Sequence, residues 1–337
     1  MAGIFDSKYF NPEVFGKYLE TVPSVKQNAL VKAGIFRDRS DLAAALAEQT
    51  GGNYIEEPMT GRIGGEALNY DGSTDIVADE LGSYVQGKIV IGRAKAWQEK
   101  DFNFDITHHD HMAEVAAQTV EYWDGINQGL LLSILKGIFG MSAGNFADRH
   151  TYDITGKDSP VVGAESLNNA IQQAVGANKN IFTAVVMHSA VATNLENMQL
   201  LQYYKQNDAN GMQREIGLAS WNGRTVLIDD DVPVEGDAYT TYLLGQGAFE
   251  RANIGAKVPN EVWRQPTNKG GIDMLIQRER IMYAPRGISF VQPNTRIISP
   301  TNAELETAAR WALAKDTAGT GYFDHRAIPI ARIVSKG

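Results

Sequence analysis

Three histidines close together are the first residues in this sequence that could do chemistry. His108, His109 and His111 lie within four positions, and Glu114 follows His111 by one helical turn. Imidazole and carboxylate groups at that spacing can share a helix face and hold a metal. The His-Glu-x-x-His pattern of metalloproteases is absent, however, and no distant residue is visibly placed as a third ligand. We therefore expect these histidines to form the solvated start of a helix, with no metal bound.

Three other short stretches could carry chemistry, and each is a weak candidate. The acidic triplet Asp229–Asp231 follows a predicted strand and could bind Mg²⁺, but a polar turn before Pro233 is the favoured interpretation. The segment GQGAFE (245–250) is similar to a dinucleotide fingerprint, but Glu250 stands where the third glycine belongs. His188 and Ser189 are adjacent, and adjacent side chains rarely face each other. We predict no catalytic residue and no cofactor.

Composition restricts the chain to a folded protein with few special constraints. Its 337 residues are 43% apolar and 21% charged, and none is cysteine, which excludes disulfides and thiolate metal sites. The net charge of −9 argues against tight binding to nucleic-acid phosphates. The first residues do not resemble a secretory signal, and apolar runs such as 130–134 are far shorter than a membrane span. We expect synthesis inside the cell and no membrane association.

The first ninety residues hold many apolar side chains but no long periodic element. Residues 1–36 would be either a strand and helix packed on the main body or an arm that buries its aromatic side chains on a neighbouring subunit. Asp38–Gln49 is predicted to be a short helix with Ser40 as its N-cap. The glycine-rich segment 52–87 is predicted to be a two-stranded excursion that rests on another surface. If the arm and the excursion both rest on a neighbour, the first ninety residues bury their apolar side chains on another subunit.

A long helix is predicted next. Thr107 and Asp110 fit a helix-start box, and apolar residues then recur at three- and four-residue steps as far as Ile138. The rest of the chain alternates between helix and strand patterns, typical of an α/β unit. We predict a loop over 140–160; helices over 160–175, 189–205 and 302–313, the last capped by Thr301 or Asn302; and strands over 88–97, 181–187, 225–228, 239–243, 271–283, 287–298 and 328–334.

The order of these elements resembles that of the major capsid proteins of tailed bacteriophages, which have the Hong Kong 97-type capsid fold. The resemblance covers nearly the whole chain and depends on order and spacing, since none of the matching stretches is a catalytic signature. The stretches that carry it are KIVIGRAKAWQEKDF with the helix ending YWDGINQGLLLSILKGIF, then IFTAVVMHSAVATNLENMQLL, then WNGRTVLIDDDVP, and last ELETAARWALA before IPIARI.

The resemblance implies an α+β fold made of an N-arm, an E-loop, a spine helix, a P-domain and an A-domain. It assigns 1–51 to the arm and a short helix, 52–90 to the E-loop, 91–144 to the P-domain with the spine helix at about 108–139, 145–268 to the A-domain, and 269–337 to returning strands, a helix and a closing strand. The residues expected at contacts between subunits are Phe5, Tyr9, Phe10, Tyr54, Arg62, Tyr70 and Tyr84.

The function implied by the resemblance is structural. The chain would self-assemble into hexamers and pentamers of an icosahedral shell, built in the bacterial cytoplasm, that encloses double-stranded DNA in the virion. Its partners would be other copies of itself, a portal, decoration proteins, DNA contacted non-specifically, and a scaffolding protein. Many relatives begin with a cleaved scaffolding region for which this sequence has no room, so scaffolding is expected to be separate or already removed. The alternatives are an encapsulin-like compartment with protein cargo and a soluble metal-dependent α/β enzyme.

Overall fold

A computed structural model describes residues 33–48, 52–61, 67–71, 75, 82–101, 111–207, 213–316, 319 and 321–337. Its α-helices are α1 (Ser40–Glu48), α2 (His111–Ile138), α3 (Phe146–His150), α4 (Ser166–Val175), α5 (Ser189–Asn197) and α6 (Asn302–Glu306). Its strands are β1 (Phe36–Asp38), β2 (Tyr54–Thr60), β3 (Ser83–Ile89), β4 (Ile91–Lys100), β5 (Thr151–Asp153), β6 (Phe182–Met187), β7 (Leu201–Asn207), β8 (Gln213–Trp221), β9 (Arg224–Ile228), β10 (Val234–Glu235), β11 (Ala238–Gly245), β12 (Phe249–Asn253), β13 (Asn260–Gln265), β14 (Ile272–Pro285), β15 (Ile288–Phe290), β16 (Trp311–Leu313), β17 (Lys315–Asp316) and β18 (Ile330–Lys336).

The small sheet is built around the long strand β14. One edge of β14 pairs with β4 in antiparallel register from Ile281↔Ile91 to Ile272↔Lys100. The other edge pairs first with β13 and then with β12, and β1 joins β12 in parallel. The long strand predicted from the alternation of 271–283 is therefore confirmed.

The large sheet has the strand order β5-β18-β11-β6-β9-β8-β7, with β10 paired to β11. Side chains alternate between its two faces, so Val186 and Leu244 pack towards α2 while Val185 and Leu243 pack towards α4 and α5. Because both faces are covered, the run IFTAVVM is apolar except for Thr183 and does not alternate with polar residues.

Helix α2 joins the two sheets. Its 28 residues span about 42 Å at 1.5 Å per residue. The C-terminal half is enclosed, and Leu130, Ile134 and Ile138 are fully buried between the sheets. Near its end, a side chain on Gly137 would meet the Leu305 carbonyl oxygen at 2.0 Å, so only glycine lets α6 pack this closely.

A hairpin of β2 and β3 packs against β15 and the end of β14. The strands pair in antiparallel register from Tyr54↔Ile89 to Thr60↔Ser83, and β17 adds to the other edge of β3. This confirms the two-stranded excursion predicted for 52–87. The predicted single strand over 88–97 is wrong, because β3 ends at Ile89, and the backbone N–H of Val90 turns to donate to the Asn53 carbonyl at 2.8 Å before β4 begins.

Two predicted helices extend too far. Helix α5 ends at Asn197 because Gln199 adopts a left-handed conformation (φ 57°), and the chain enters the unpredicted strands β7 and β8 instead of continuing helical to residue 205. The helix predicted over 302–313 stops at Glu306, although Thr301 caps it as expected through a full capping box. A 3₁₀ turn follows, and Trp311 begins a strand that pairs with β15.

Several other boundaries also differ from the predictions. The predicted loop over 140–160 contains α3 and β5, and the helix predicted from 160 starts at Ser166. Regular strand in 287–298 is limited to Ile288–Phe290. The segment 145–268 divides between the sheets, because β12 and β13 pair with β14 and not with any strand of the large sheet.

The hypothesis that the first ninety residues bury their apolar side chains on another subunit is wrong for residues 33–48 and for the base of the hairpin. Ile35 belongs to the main core of its own chain, and Leu42 and Leu46 of α1 pack against Val90 and Met282. Among the described residues of this segment, Leu68 and Tyr70, between β2 and β3, are the exposed large apolar groups.

Candidate functional site

The base of the hairpin contains a buried network of four charged side chains from distant parts of the sequence. Lys88 of β3 has a side chain only 1% exposed, and its ammonium group donates to both Glu57 of β2 and Glu250 of β12. Arg39, directly before α1, closes the network through Nη2–Glu57 Oε1 at 2.5 Å and Nη1–Glu250 Oε1 at 3.1 Å. Two cations and two carboxylates therefore balance in a largely dry site.

The pKa values of this network follow from these contacts. Burial acts to raise the pKa of the Glu57 carboxyl, but hydrogen bonds from Arg39 and Lys88 outweigh burial and hold that pKa below its ordinary value. The pKa of Arg39 is raised, first by its hydrogen bond to Asp41 and then by the one to Glu57. The Glu57 carboxylate and the Arg39 guanidinium therefore stay charged near neutral pH.

Neutral hydrogen bonds fix the same base to its own subunit. The buried amide of Gln86 donates to the carbonyl oxygens of Pro285 at 2.7 Å and Ile288 at 3.0 Å. The backbone N–H of Gly87 donates to the Ser289 hydroxyl at 3.2 Å. The hairpin is thus attached to the small sheet and to β15 at its base.

The residues predicted at subunit contacts fall into three groups. Phe5, Tyr9, Phe10 and Arg62 lie outside the described residues. Tyr54 and Tyr84 are half-buried in their own subunit: the Tyr54 hydroxyl donates to the Phe290 carbonyl at 3.3 Å, and the Tyr84 ring meets Phe323 edge-on at 5.6 Å. Tyr70 is 92% exposed, and Leu68 beside it is also exposed.

The chemical candidates become structural residues. Gln128 of α2 donates to the buried carboxylate of Asp229, so this acid ties the long helix to the end of β9. His188 caps α5 by accepting from the Ala190 N–H at 3.1 Å, which leaves Ser189 as the first helical residue and not an activated nucleophile. The segment 245–250 leads into strand β12, whereas a dinucleotide fingerprint opens a helix.

The histidine cluster at 108–111, for which no bound metal was predicted, lies outside the described side chains. His108 and His109 fall outside the described residues, and the side chain of His111 is also outside them. Among the described residues, no group of three or more His, Cys, Asp or Glu could hold a metal. Within the same residues, no helix is long and apolar enough to cross a membrane.

The charged network was missed by reasoning from the sequence. Its one local signal is Lys88 at the head of the apolar stretch KIVIG, where a lysine needs a partner if the strand is buried. The partners could not be deduced, because Glu57 and Glu250 lie 31 and 162 positions away from Lys88.

Comparison with known proteins decides the family. No protein-family model matches the sequence. The major capsid protein of Bacillus phage SPP1 is 26% identical over 310 residues, which covers 90% of this chain and 92% of that protein. The chain is a member of the tailed-phage major capsid proteins.

Solved structures agree on the fold of this capsid protein. The capsid of Ralstonia phage GP4 matches with a TM-score of 0.55 at 11% identity, covering 91% of this chain and 88% of that one. A chain of Mycobacterium phage Bobi matches at 0.53 and 13% identity over 94% of both chains. The capsid of Helicobacter pylori bacteriophage KHP30 matches at 0.52 and 10% identity, over 90% and 88%. The expected Hong Kong 97-type α+β fold is confirmed, and the protein is a structural component of the virion shell, not an enzyme.

Proposed function

We propose that copies of this chain assemble into hexamers and pentamers of an icosahedral head that encloses double-stranded DNA. The observation that carries the proposal is the similarity to the SPP1 major capsid protein over 90% of the chain. A hairpin fixed at its base and exposed at Tyr70 supports it, because such an element gains burial only on a neighbour. Head-to-tail contacts of this kind form rings when the rotation between neighbouring copies closes.

The domain boundaries of the proposed shell subunit follow the sheets. We assign the E-loop to 52–90 and the spine helix to about 108–139, as the sequence predicts. The A-domain corresponds to the large sheet with α4 and α5, and the P-domain to the small sheet with α2. Because β12 and β13 pair with β14, we end the continuous part of the A-domain near residue 248 and add β18 to it.

The proposed partners are a separate scaffolding protein, a portal and decoration proteins, with DNA contacted non-specifically. The net charge of −9 supports the last of these, since an acidic subunit would not bind each phosphate tightly and so would not hinder filling or release. The encapsulin-like alternative differs in its contents. Particles from the native source would contain double-stranded DNA under our proposal and an enzyme cargo under the alternative.

The experiment for the assembly proposal uses Tyr70 at the exposed part of the hairpin segment. Wild type, Tyr70→Ser and Tyr70→Phe would be purified at full length and examined by sedimentation velocity and negative-stain microscopy at near-physiological salt, with and without scaffold. Burying a tyrosine ring contributes about 1.5–3 kcal/mol, so serine should raise the concentration needed for assembly by about tenfold or more while phenylalanine keeps it. A wild type that stays monomeric even with scaffold refutes the proposal. Equal assembly of the serine variant refutes the role of Tyr70.

A further inference from the structure

A chain of three hydrogen bonds links two histidines from distant parts of the sequence. His150 ends α3, and His325 begins the 3₁₀ turn 325–327. His150 Nδ1 lies 2.7 Å from the Ile330 carbonyl oxygen, His150 Nε2 lies 3.1 Å from His325 Nδ1, and His325 Nε2 lies 2.8 Å from Arg149 Nη1.

These distances permit one consistent assignment of protons. The guanidinium of Arg149 can only donate, so His325 Nε2 accepts and His325 Nδ1 carries the proton. His150 Nε2 then accepts from His325, and His150 Nδ1–H donates to the Ile330 carbonyl. Every group in the chain is satisfied when both imidazoles are neutral. A second proton on His150 would place an N–H on Nε2 directly against the N–H of His325.

The surroundings also oppose a positive charge at this site. His150 is 1% exposed and stacks on Phe146 at 4.2 Å. Burial lowers the pKa of His150 to about 4, and burial followed by the charge of Arg149 lowers the pKa of His325. The remaining charged groups are also engaged: Asp324 accepts from the Arg326 backbone N–H at 3.0 Å, and Arg332 of β18 donates to the Thr151 hydroxyl at 2.9 Å.

Helix α4 contacts this site through a neutral side chain. The amide of Gln173 donates to the backbone carbonyls of Asp148 at 3.1 Å and Thr151 at 2.8 Å. The only carboxylate that acts to raise the pKa of His325 is therefore Asp324, and both arginines of this group, Arg149 and Arg326, act to lower it. Burial and these two arginines outweigh Asp324, so the pKa of His325 stays below its ordinary value.

The turn that carries His325 also holds the base of the hairpin. Phe323 packs edge-on against Tyr84 of β3, and its backbone N–H donates to the Ala314 carbonyl at 2.8 Å, just before β17. β17 in turn pairs with β3 through Asp316↔Tyr84. A groove of about 910 Å³, lined in part by Gly176, Tyr84 and Arg326, lies beside the turn and gives it room to move.

We propose that His150 and His325 form an acid-sensitive latch that holds the segment 323–328 against α3 and, through Phe323 and Tyr84, holds the base of the hairpin. The latch is closed while both imidazoles are neutral. Because the folded-state pKa of His150 is depressed, its stabilisation is present above about pH 6.5 and is lost as the pH falls towards 4. Opening releases the contact of Phe323 with Tyr84 at the base of the hairpin without unfolding either sheet.

Hydrogen exchange with mass spectrometry on the full-length protein tests the latch. Peptides covering 321–330 and 83–89 should lose protection by about tenfold to a hundredfold between pH 6.5 and 4.5, after correction for intrinsic exchange, as the shift in the pKa of His150 requires. A peptide from strand β6 in the large sheet should keep its protection, which separates latch opening from global unfolding.

Substitutions decide whether the histidines are responsible. In His325→Asn an amide N–H can donate to His150 Nε2 at neutral pH, and the amide can flip to accept when His150 is protonated. Because His150 stays buried, this variant should show a smaller acid response in both peptides, whereas His150→Asn should lose the response. His188→Asn is the matched control, since asparagine also caps α5, and it should respond like wild type.

Three outcomes overturn the proposal. The first is a wild type whose 321–330 protection does not change between the two pH values. The second is an unchanged acid response in His325→Asn, which decides the matter even if His150→Asn fails to fold. The third is a wild type in which 321–330 responds but 83–89 does not, since the hairpin would then be independent of the latch. Phe323→Leu should produce that uncoupled pattern.

Discussion

Removing the ammonium group of Lys88 should destabilise the subunit far more than removing an exposed lysine. In Lys88→Met the two carboxylates of Glu57 and Glu250 keep Arg39 as their only cation, so a net negative charge stays buried. Breaking a buried ion pair by deleting one partner costs about 3–5 kcal/mol. The control is Lys136→Met, because Lys136 is 47% exposed and its pair with Glu306 at 2.7 Å is worth about 1 kcal/mol or less.

The assay is urea unfolding of the unassembled subunit, followed by tryptophan fluorescence at pH 7. Adding Glu250→Gln to Lys88→Met restores charge balance and should recover part of the loss. Since the pKa of Glu57 is depressed, the stability that this carboxylate contributes is present above about pH 4.5 and is lost as the pH falls, so the gap between wild type and Lys88→Met should narrow in acid. If Lys88→Met and Lys136→Met lie within about 1 kcal/mol of each other at pH 7, the network is not a buried ion cluster and the reasoning fails.

Two further substitutions probe α2 and its neighbours. Burial raises the pKa of Glu279, so the wild-type carboxylate is destabilising at neutral pH and that cost disappears below about pH 4.5. Glu279→Gln removes this charge, and its amide can donate to the buried Asn127 Oδ1. The substitution should therefore raise the unfolding free energy at pH 7 but not at pH 4, where the wild-type carboxyl is neutral. An equal effect at both pH values would contradict this. Gly137→Ala should cost about 1–3 kcal/mol in urea unfolding by pushing against the Leu305 carbonyl, while Gly125→Ala, which meets no atom within 4 Å, should be neutral or gain up to about 1 kcal/mol. Matching losses at the two glycines would show that close approach at Gly137 is unimportant.

Elements with strong local signals were predictable from the sequence. The alternation of 271–283 gave β14, the three- and four-residue steps gave α2, and Thr301 gave the start of α6, because each signal depends on neighbours within a few residues. The order of elements was enough to indicate the capsid family. Apolar spacing that fits both a helix and a strand gave a wrong prediction. Leu195, Met198 and Leu201 have helical spacing, yet Met198 is exposed and Leu201 lies in a strand.

The candidate site was less predictable, for a physical reason. Tyr70 could be predicted as a subunit contact because a large aromatic residue in a glycine-rich excursion has little local structure to pack against. The partners of Lys88 and of His150 could not be named, since Glu250 and His325 reach them only after the sheets have formed, 162 and 175 positions along the chain. Nothing in the local pattern of a buried polar residue specifies a partner at that distance.

The position of β18 has a consequence for how each copy is made. This strand lies between β5 and β11 in the large sheet, and Ile330, Ala331 and Ile333 are completely enclosed there. A ribosome that has reached residue 300 therefore still holds a nascent chain with an open slot in its larger sheet. Pairings between residues this far apart form slowly, and the subunit closes only after residue 336 has left the exit tunnel. Prematurely terminated chains lack that strand and so cannot present a finished surface to a growing lattice.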